Sequence, residues 1–240
     1  MSNQRPIDAD QRQRIRENHQ SVCDEVAKAA QQCDRNPDDI QIIGVTKYVD
    51  AATTADLVAA GCNTLGENRP QVMWQKADSP ELAGQSIQWH MIGHVQRNKL
   101  RRLMRLRPMI HSVDSQRLLD SIAVEASTNE AAVDILLEVN ISGDETKTGL
   151  STALIESMLK EPPRPFVNIR GLMAMAGLNT DNQTAQQQFA AVRQLRDRLA
   201  QETGHPLSEL SMGMSGDFAE AIAEGATMVR IGSRLFDGVM

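Results

Sequence analysis

The sequence predicts a (β/α)8 TIM barrel with one extra N-terminal helix, and three observations carry that prediction. Strand-like and helix-like segments alternate along almost all of the 240 residues, the pattern of a parallel sheet with helical crossovers. Eight strands can be counted, the number that closes such a barrel. No G-x-G-x-x-G follows the first of them, which disfavours the structural rival, an open doubly wound sheet.

In chain order, a charged helix from about Asp8 to Cys33 comes first. With it, residues 1–35 are expected to pack on the barrel's outside or close one end, and residues 1–240 to form one domain. The candidate strands are Ile40–Lys47, Thr64–Gly66, Ile87–Ile92, Met109–Val113, Val133–Ile141, Val167–Met173, Glu209–Met212 and Thr227–Ile231. Between them the clearest helix is Asp181–Thr203. There Ala185, Phe189, Val192, Leu195 and Leu199 recur at three- and four-residue steps and lay one apolar stripe on the sheet. Glu161–Pro165 holds three prolines and reads as a stiff turn before the sixth strand.

The 25 Lys and Arg against 31 Asp and Glu leave a formal net charge of -6, which argues against wholesale binding to nucleic acid or anionic membranes. Any anion must be held locally. Met1–Asp10 lacks the apolar stretch of a secretory signal, and no apolar run is long enough to span a bilayer, so the cytoplasm is the expected compartment. Cys23, Cys33 and Cys62 form no C-x-x-C pair and read as reduced, idle thiols. His90 and His94 have a spacing that binds zinc on a helix, but they fall on a strand and its loop, so no metal is expected. The basic run Lys99, Arg101, Arg102, Arg105 and Arg107 alternates with Leu100, Leu103, Met104 and Leu106 and reads as the solvated face of a helix.

In this fold the active face lies at the strands' C-terminal ends. Lys47 finishes the first strand, and alternation puts Ile43, Val45 and Lys47 on one face. If that face is the interior, the amine enters the mouth as a nucleophile toward a carbonyl; otherwise it snorkels into water. The loops after strands seven and eight are the customary phosphate site, and here they read Met212-Gly213-Met214-Ser215-Gly216-Asp217 and Ile231-Gly232-Ser233. Glycine N–H groups, the Ser215 and Ser233 hydroxyls and a helix starting near Asp217 would meet an anion, with Asp217 capping that helix. Arg230 shares a face with Gly232 and needs a buried partner: a ring nitrogen, a phosphate, or a carboxylate such as Glu67 or Glu138.

Ordered blocks along Ile40–Phe236 then add to this reading. They are Val45-Thr46-Lys47, Gly66-Glu67-Asn68, Trp89-His90-Met91-Ile92-Gly93 with Gln96 and Asn98-Lys99, and His111-Ser112-Val113-Asp114. Further on come Val139-Asn140-Ile141-Ser142 with Lys147-Thr148-Gly149, Arg170-Gly171-Leu172-Met173-Ala174, Leu210-Ser211-Met212-Gly213-Met214-Ser215 and Val229-Arg230-Ile231-Gly232. Together they resemble the pyridoxal phosphate homeostasis proteins, which are built on the barrel half of the alanine racemase fold, a fold-type III barrel without the second domain. The resemblance implies pyridoxal 5'-phosphate as a Schiff base on Lys47, its phosphate on Ser215, Gly232 and Ser233, Asn68 lining the pocket and Arg230 near the pyridine ring. It also implies a role in intracellular vitamin B6 homeostasis, buffering or delivering the cofactor to apoenzymes that depend on it. The chain departs from the family pattern at His94-Val95, where proline then leucine is common, and at Pro70.

A racemase needs a second acid/base group on the substrate's other face. Tyr48 is the chain's one tyrosine, and neighbours on a strand face opposite ways, so it is not expected beside Lys47. A carrier without enzymatic activity, monomeric because the partner-dependent second domain of the racemases is not expected here, is the first expectation; a low-activity amino-acid racemase and a cofactor-free Schiff-base aldolase are the alternatives.

Overall fold

The structure is a computed structural model that describes residues 9–141, 148–177 and 180–239. Helix α1 (Ala9–Gln31) precedes β1 (Gln41–Val45), α2 (Ala51–Ala59), β2 (Thr64–Glu67), α3 (Pro70–Ala77), β3 (Gln88–Met91), α4 (Leu100–Leu103) and β4 (Met109–Val113). There follow α5 (Gln116–Thr128), β5 (Val133–Glu138), α6 (Thr152–Lys160), β6 (Val167–Met173), α7 (Asn182–Thr203), β7 (Glu209–Met214), α8 (Phe218–Ala223) and β8 (Met228–Ile231). The strands are parallel and close in sequence order, with β8 beside β1, as the alternation predicts.

Local chemistry sets the starts of the crossover helices. The side chains of Asp50, Ser115, Ser151 and Asp181 each accept the backbone N–H three residues on, the capping arrangement that satisfies a donor the first helical turn leaves open. Pro70, a departure from the family pattern, stands at the first position of α3, where proline's missing N–H costs nothing. Val95, the other departure, is buried in the core. Outside the barrel, α1 buries Ile15, Val22, Val26, Ala29 and Ala30. It is tied to the last turn of the chain by Asn18 Nδ2, which donates to the carbonyls of Leu235 and Asp237, and by the Arg234–Glu25 ion pair at 2.6 Å.

Two strands end two or three residues earlier than the sequence suggests. Strand β1 stops at Val45 because Val49 N–H bonds back to the Thr46 carbonyl and turns the chain before Lys47. Strand β5 stops at Glu138 because the backbone then pairs with a returning segment, Leu150 N–H donating to the Glu138 carbonyl at 2.7 Å. Ser142 and Lys147 lie outside the described residues. The basic run after β3 forms one turn of α-helix between two short 3-10 turns. Leu100, Leu103 and Met104 are inward, while Arg102 stacks on Trp74 at 4.5 Å and pairs with Asp78. Among the described residues no helix is long and apolar enough to cross a membrane.

The two faces of the barrel wall can be told apart. A Cβ on Gly44 would meet Cys62, Leu57 and Leu235 in the outer layer, whereas one on Gly66 would meet Ile43 and Ile92. Ile43 and Val45 therefore face the interior, as does His90, the register partner of Gly66. On β6 the wall admits no side chain at Gly171, whose Cβ would collide with the backbone of Glu209 on β7. Gly171→Ala is expected to force the two strands apart and cost about 3 kcal/mol or more, read as a lowered midpoint in urea; an unchanged midpoint would contradict this packing.

Candidate functional site

Lys47 stands just past the end of β1, half-buried, at the C-terminal face of the barrel. The turn that carries it is fastened from behind. Thr46 Oγ1 donates to Glu67 Oε1, and the buried Lys76 ammonium on α3 donates to both Glu67 Oε1 and the Thr46 carbonyl, all at 2.6 Å. Burial lowers the Lys76 pKa, and Glu67 opposes that shift. Because Glu67 faces outward onto α3, it is not a partner for Arg230 in the interior. Nor does the strand alternation separate Tyr48 from Lys47: both residues lie on the turn, and the Lys47 amine sits 4.8 Å from the centre of the Tyr48 ring, itself 78% exposed.

Beside the Lys47 turn, past the ends of β7 and β8, Ser215 and Gly232 converge. The Gly232 N–H donates to Ser215 Oγ at 3.3 Å, linking the loops after β7 and β8. A Cβ on Gly232 would come within 3.4 Å of Val45, so glycine keeps this corner open toward the end of β1. Ser233 is exposed and borders an outer cleft with Asn18, Ser21 and Glu25 of α1. Asn68, half-buried after β2, packs its backbone where a Cβ on Gly93 would stand.

Asp217 does not cap α8 with its side chain: its backbone is not extended, and its Oδ1 accepts the Met214 N–H at 2.6 Å instead. The carboxylate thus closes the β7 loop. Helix α8 is only six residues long, so the anion-binding character of this corner rests on the Ser215 hydroxyl and Gly232 N–H.

Arg230 is buried and, among the described residues, pairs with no carboxylate. Its Nη1 donates to the carbonyl and the Oγ of Ser211, 2.7 Å each, and its Nη2 to the Ala174 carbonyl at 2.9 Å. Burial lowers its pKa to about 10, against the attraction of Asp217 and Glu138, so it remains a cation at neutral pH. Glu138 accepts from Thr148 at 2.7 Å, and burial raises its pKa. Glu138, Asn140, Thr148, Met175, Met214 and Asp217 border a cavity of about 570 Å³ beside the Ser215 loop.

The two histidines considered for zinc have different surroundings. His90 is buried and bonds His111, whereas His94 is exposed on the rim and bonds Asp114 at 2.7 Å. Sequence reasoning assigned no role to Lys76, His111 or Ser211. Polar residues at inward positions on several strands were the available signal for the last two.

A primary amine, a hydroxyl with a converging backbone N–H, and a fixed buried cation form a set that fits a phosphorylated aldehyde bearing a ring nitrogen. Residues 26–238 match the family model for the alanine racemase N-terminal domain. The pyridoxal phosphate homeostasis protein of Aquifex aeolicus is 35% identical over 90% of this chain and 94% of its own length. That of Escherichia coli is 32% identical over 92% and 95%. The solved structure of PipY from Synechococcus elongatus with pyridoxal phosphate bound is 32% identical and superposes with a TM-score of 0.80 over 92% of this chain and 99% of that one. Alanine racemase from Corynebacterium glutamicum, at 14% identity, shares the fold, with a TM-score of 0.71 over 93% of this chain and 60% of that one. The chain belongs to the pyridoxal phosphate homeostasis protein family, on the alanine racemase N-terminal barrel.

Proposed function

We propose that this chain binds pyridoxal 5'-phosphate covalently on Lys47 and acts in intracellular vitamin B6 homeostasis as a cytoplasmic, monomeric carrier. It holds the cofactor and yields it to apoenzymes without itself being an enzyme. The observation that carries the reading is the meeting of Ser215 Oγ and the Gly232 N–H beside the β1 end that leads into the Lys47 turn. When bound, the cofactor supplies an aldehyde that an amine captures reversibly. Lys47 would provide that amine, and Ser215, Gly232 and Ser233 the phosphate contacts. Asn68 would line the pocket, and Arg230 would face the ring. A buried cation near the ring nitrogen disfavours its protonation and so weakens the ring as an electron sink.

The test is borohydride reduction of the protein with excess pyridoxal phosphate, followed by peptide mass analysis. A phosphopyridoxyl group is expected on Lys47, and none on Lys47→Ala. An unmodified Lys47 would overturn the proposal and leave a cofactor-free Schiff-base aldolase as the reading. One observation favours a low-activity amino-acid racemase instead, namely the Tyr48 ring beside the Lys47 amine. Exchange of an amino acid's α-proton with solvent, lost in Tyr48→Phe, would establish that activity; the carrier predicts no exchange.

A further inference from the structure

His90 on β3, His111 on β4, Ser211 on β7 and Arg230 on β8 form a hydrogen-bonded chain across the barrel interior. Ser211 Oγ lies 2.9 Å from His111 Nδ1, and His111 Nε2 lies 2.8 Å from His90 Nδ1. All four residues are buried, and His90 Nε2 is buried with no partner among the described residues. The interior of such a barrel is ordinarily filled by branched apolar side chains, so a polar chain there calls for a reason.

The proton positions follow from the cation. Ser211 Oγ accepts an N–H from Arg230, so the hydroxyl's own hydrogen is available for His111 Nδ1. That places the His111 proton on Nε2, which donates to His90 Nδ1, and leaves the His90 proton on Nε2. The reverse order would give Ser211 Oγ two donors and leave its own hydrogen unused. Both imidazoles are neutral, burial holding His90 at about 4 and His111 well below its ordinary value, the latter also through the charge of Arg230. Two neutral rings thus draw the serine proton away from the guanidinium and sharpen Ser211 Oγ as its acceptor. The opposing pull comes from Glu138 and Asp217 toward the mouth, both of which attract Arg230.

We infer that His111, Ser211 and His90 are positioning residues that hold the Arg230 guanidinium in the barrel wall, fixed against the cofactor ring and away from the mouth carboxylates. The inference rests on the proposed cofactor site. Without Ser211 Oγ, one Nη1 hydrogen loses its acceptor, and the cation turns toward Glu138 and Asp217.

The experiment titrates pyridoxal phosphate into the full chain and into Ser211→Ala, His111→Leu and His111→Asn, reading the dissociation constant, the bound cofactor's absorption band and the borohydride adduct on Lys47. Ser211→Ala and His111→Leu are expected to keep the adduct, weaken binding about tenfold, the scale of one hydrogen bond to a charged group, and move the band. His111→Asn, whose amide oxygen replaces Nδ1 as acceptor, is expected to restore both. Parental affinity and band in Ser211→Ala would overturn the inference even if His111→Leu fails to fold. Weakened binding with an unmoved band would also overturn it, by reducing the chain to a structural role. Absence of the adduct in the unsubstituted chain would instead overturn the cofactor site itself.

Discussion

Lys76→Met is expected to lower the unfolding free energy by about 3 to 5 kcal/mol, the cost of removing one partner of a buried ion pair. The Glu67 carboxylate it abandons is 0% exposed, with Thr46 Oγ1 as its other partner on Oε1 and, among the described residues, none on Oε2. Adding Glu67→Leu removes the stranded charge as well, and the double variant should regain most of the loss. The measurement is urea denaturation of the two single variants and the double. A loss under about 1 kcal/mol in Lys76→Met would mean that the pair is solvated in ways the geometry does not allow. The single variant also releases the Thr46 carbonyl, so the turn that carries Lys47 loses one of its fastenings, and capture of an aldehyde there should slow even where the protein stays folded.

The architecture was legible because it depends on periodicity and punctuation. Eight strands and the α7 stripe from Ala185 to Leu199 announce themselves within a few neighbouring positions. The site was legible in part: Lys47 by its place at a strand end, and Ser215 and Gly232 by loop composition. What stayed hidden depends on which of several available partners a group takes in the fold. Glu67 reads as a barrel-interior carboxylate until Lys76, nine positions on, is seen to draw it outward. Arg230 reads as needing an acid, yet it is satisfied by a serine and two carbonyls. Asp217 stands where a helix cap belongs, yet its carboxylate turns back to Met214. The end of β1 at Val45 escaped for the same reason: a single turn bond from Val49 to Thr46 ends the alternation that sets Tyr48 apart from Lys47.

Acidification should unfold this barrel earlier than its carboxylates alone would dictate. The unfolded chain takes up a proton on His90 near the ordinary value of 6.5, while in the folded barrel burial delays that uptake to about 4. Between those limits the unfolded state binds more protons, so stability falls with pH, by about 3 kcal/mol from His90 alone. His111, with its pKa lowered further by its neighbours, acts in the same direction. Glu138 and Asp217 act oppositely, since burial raises their pKa values and the folded state then takes up their protons first. Their raised values let them offset part of the loss, so the histidine share is read from the difference between the parent chain and a His90 variant. Urea denaturation at pH 7 and pH 5 should show the drop. His90→Asn, which removes one imidazole and keeps a polar group at the end of the chain, should reduce it. A flat profile over that interval, or an undiminished drop in His90→Asn, would mean that the barrel admits a proton to its interior, and that the neutral imidazoles on which Ser211 and Arg230 depend are not held neutral by the fold.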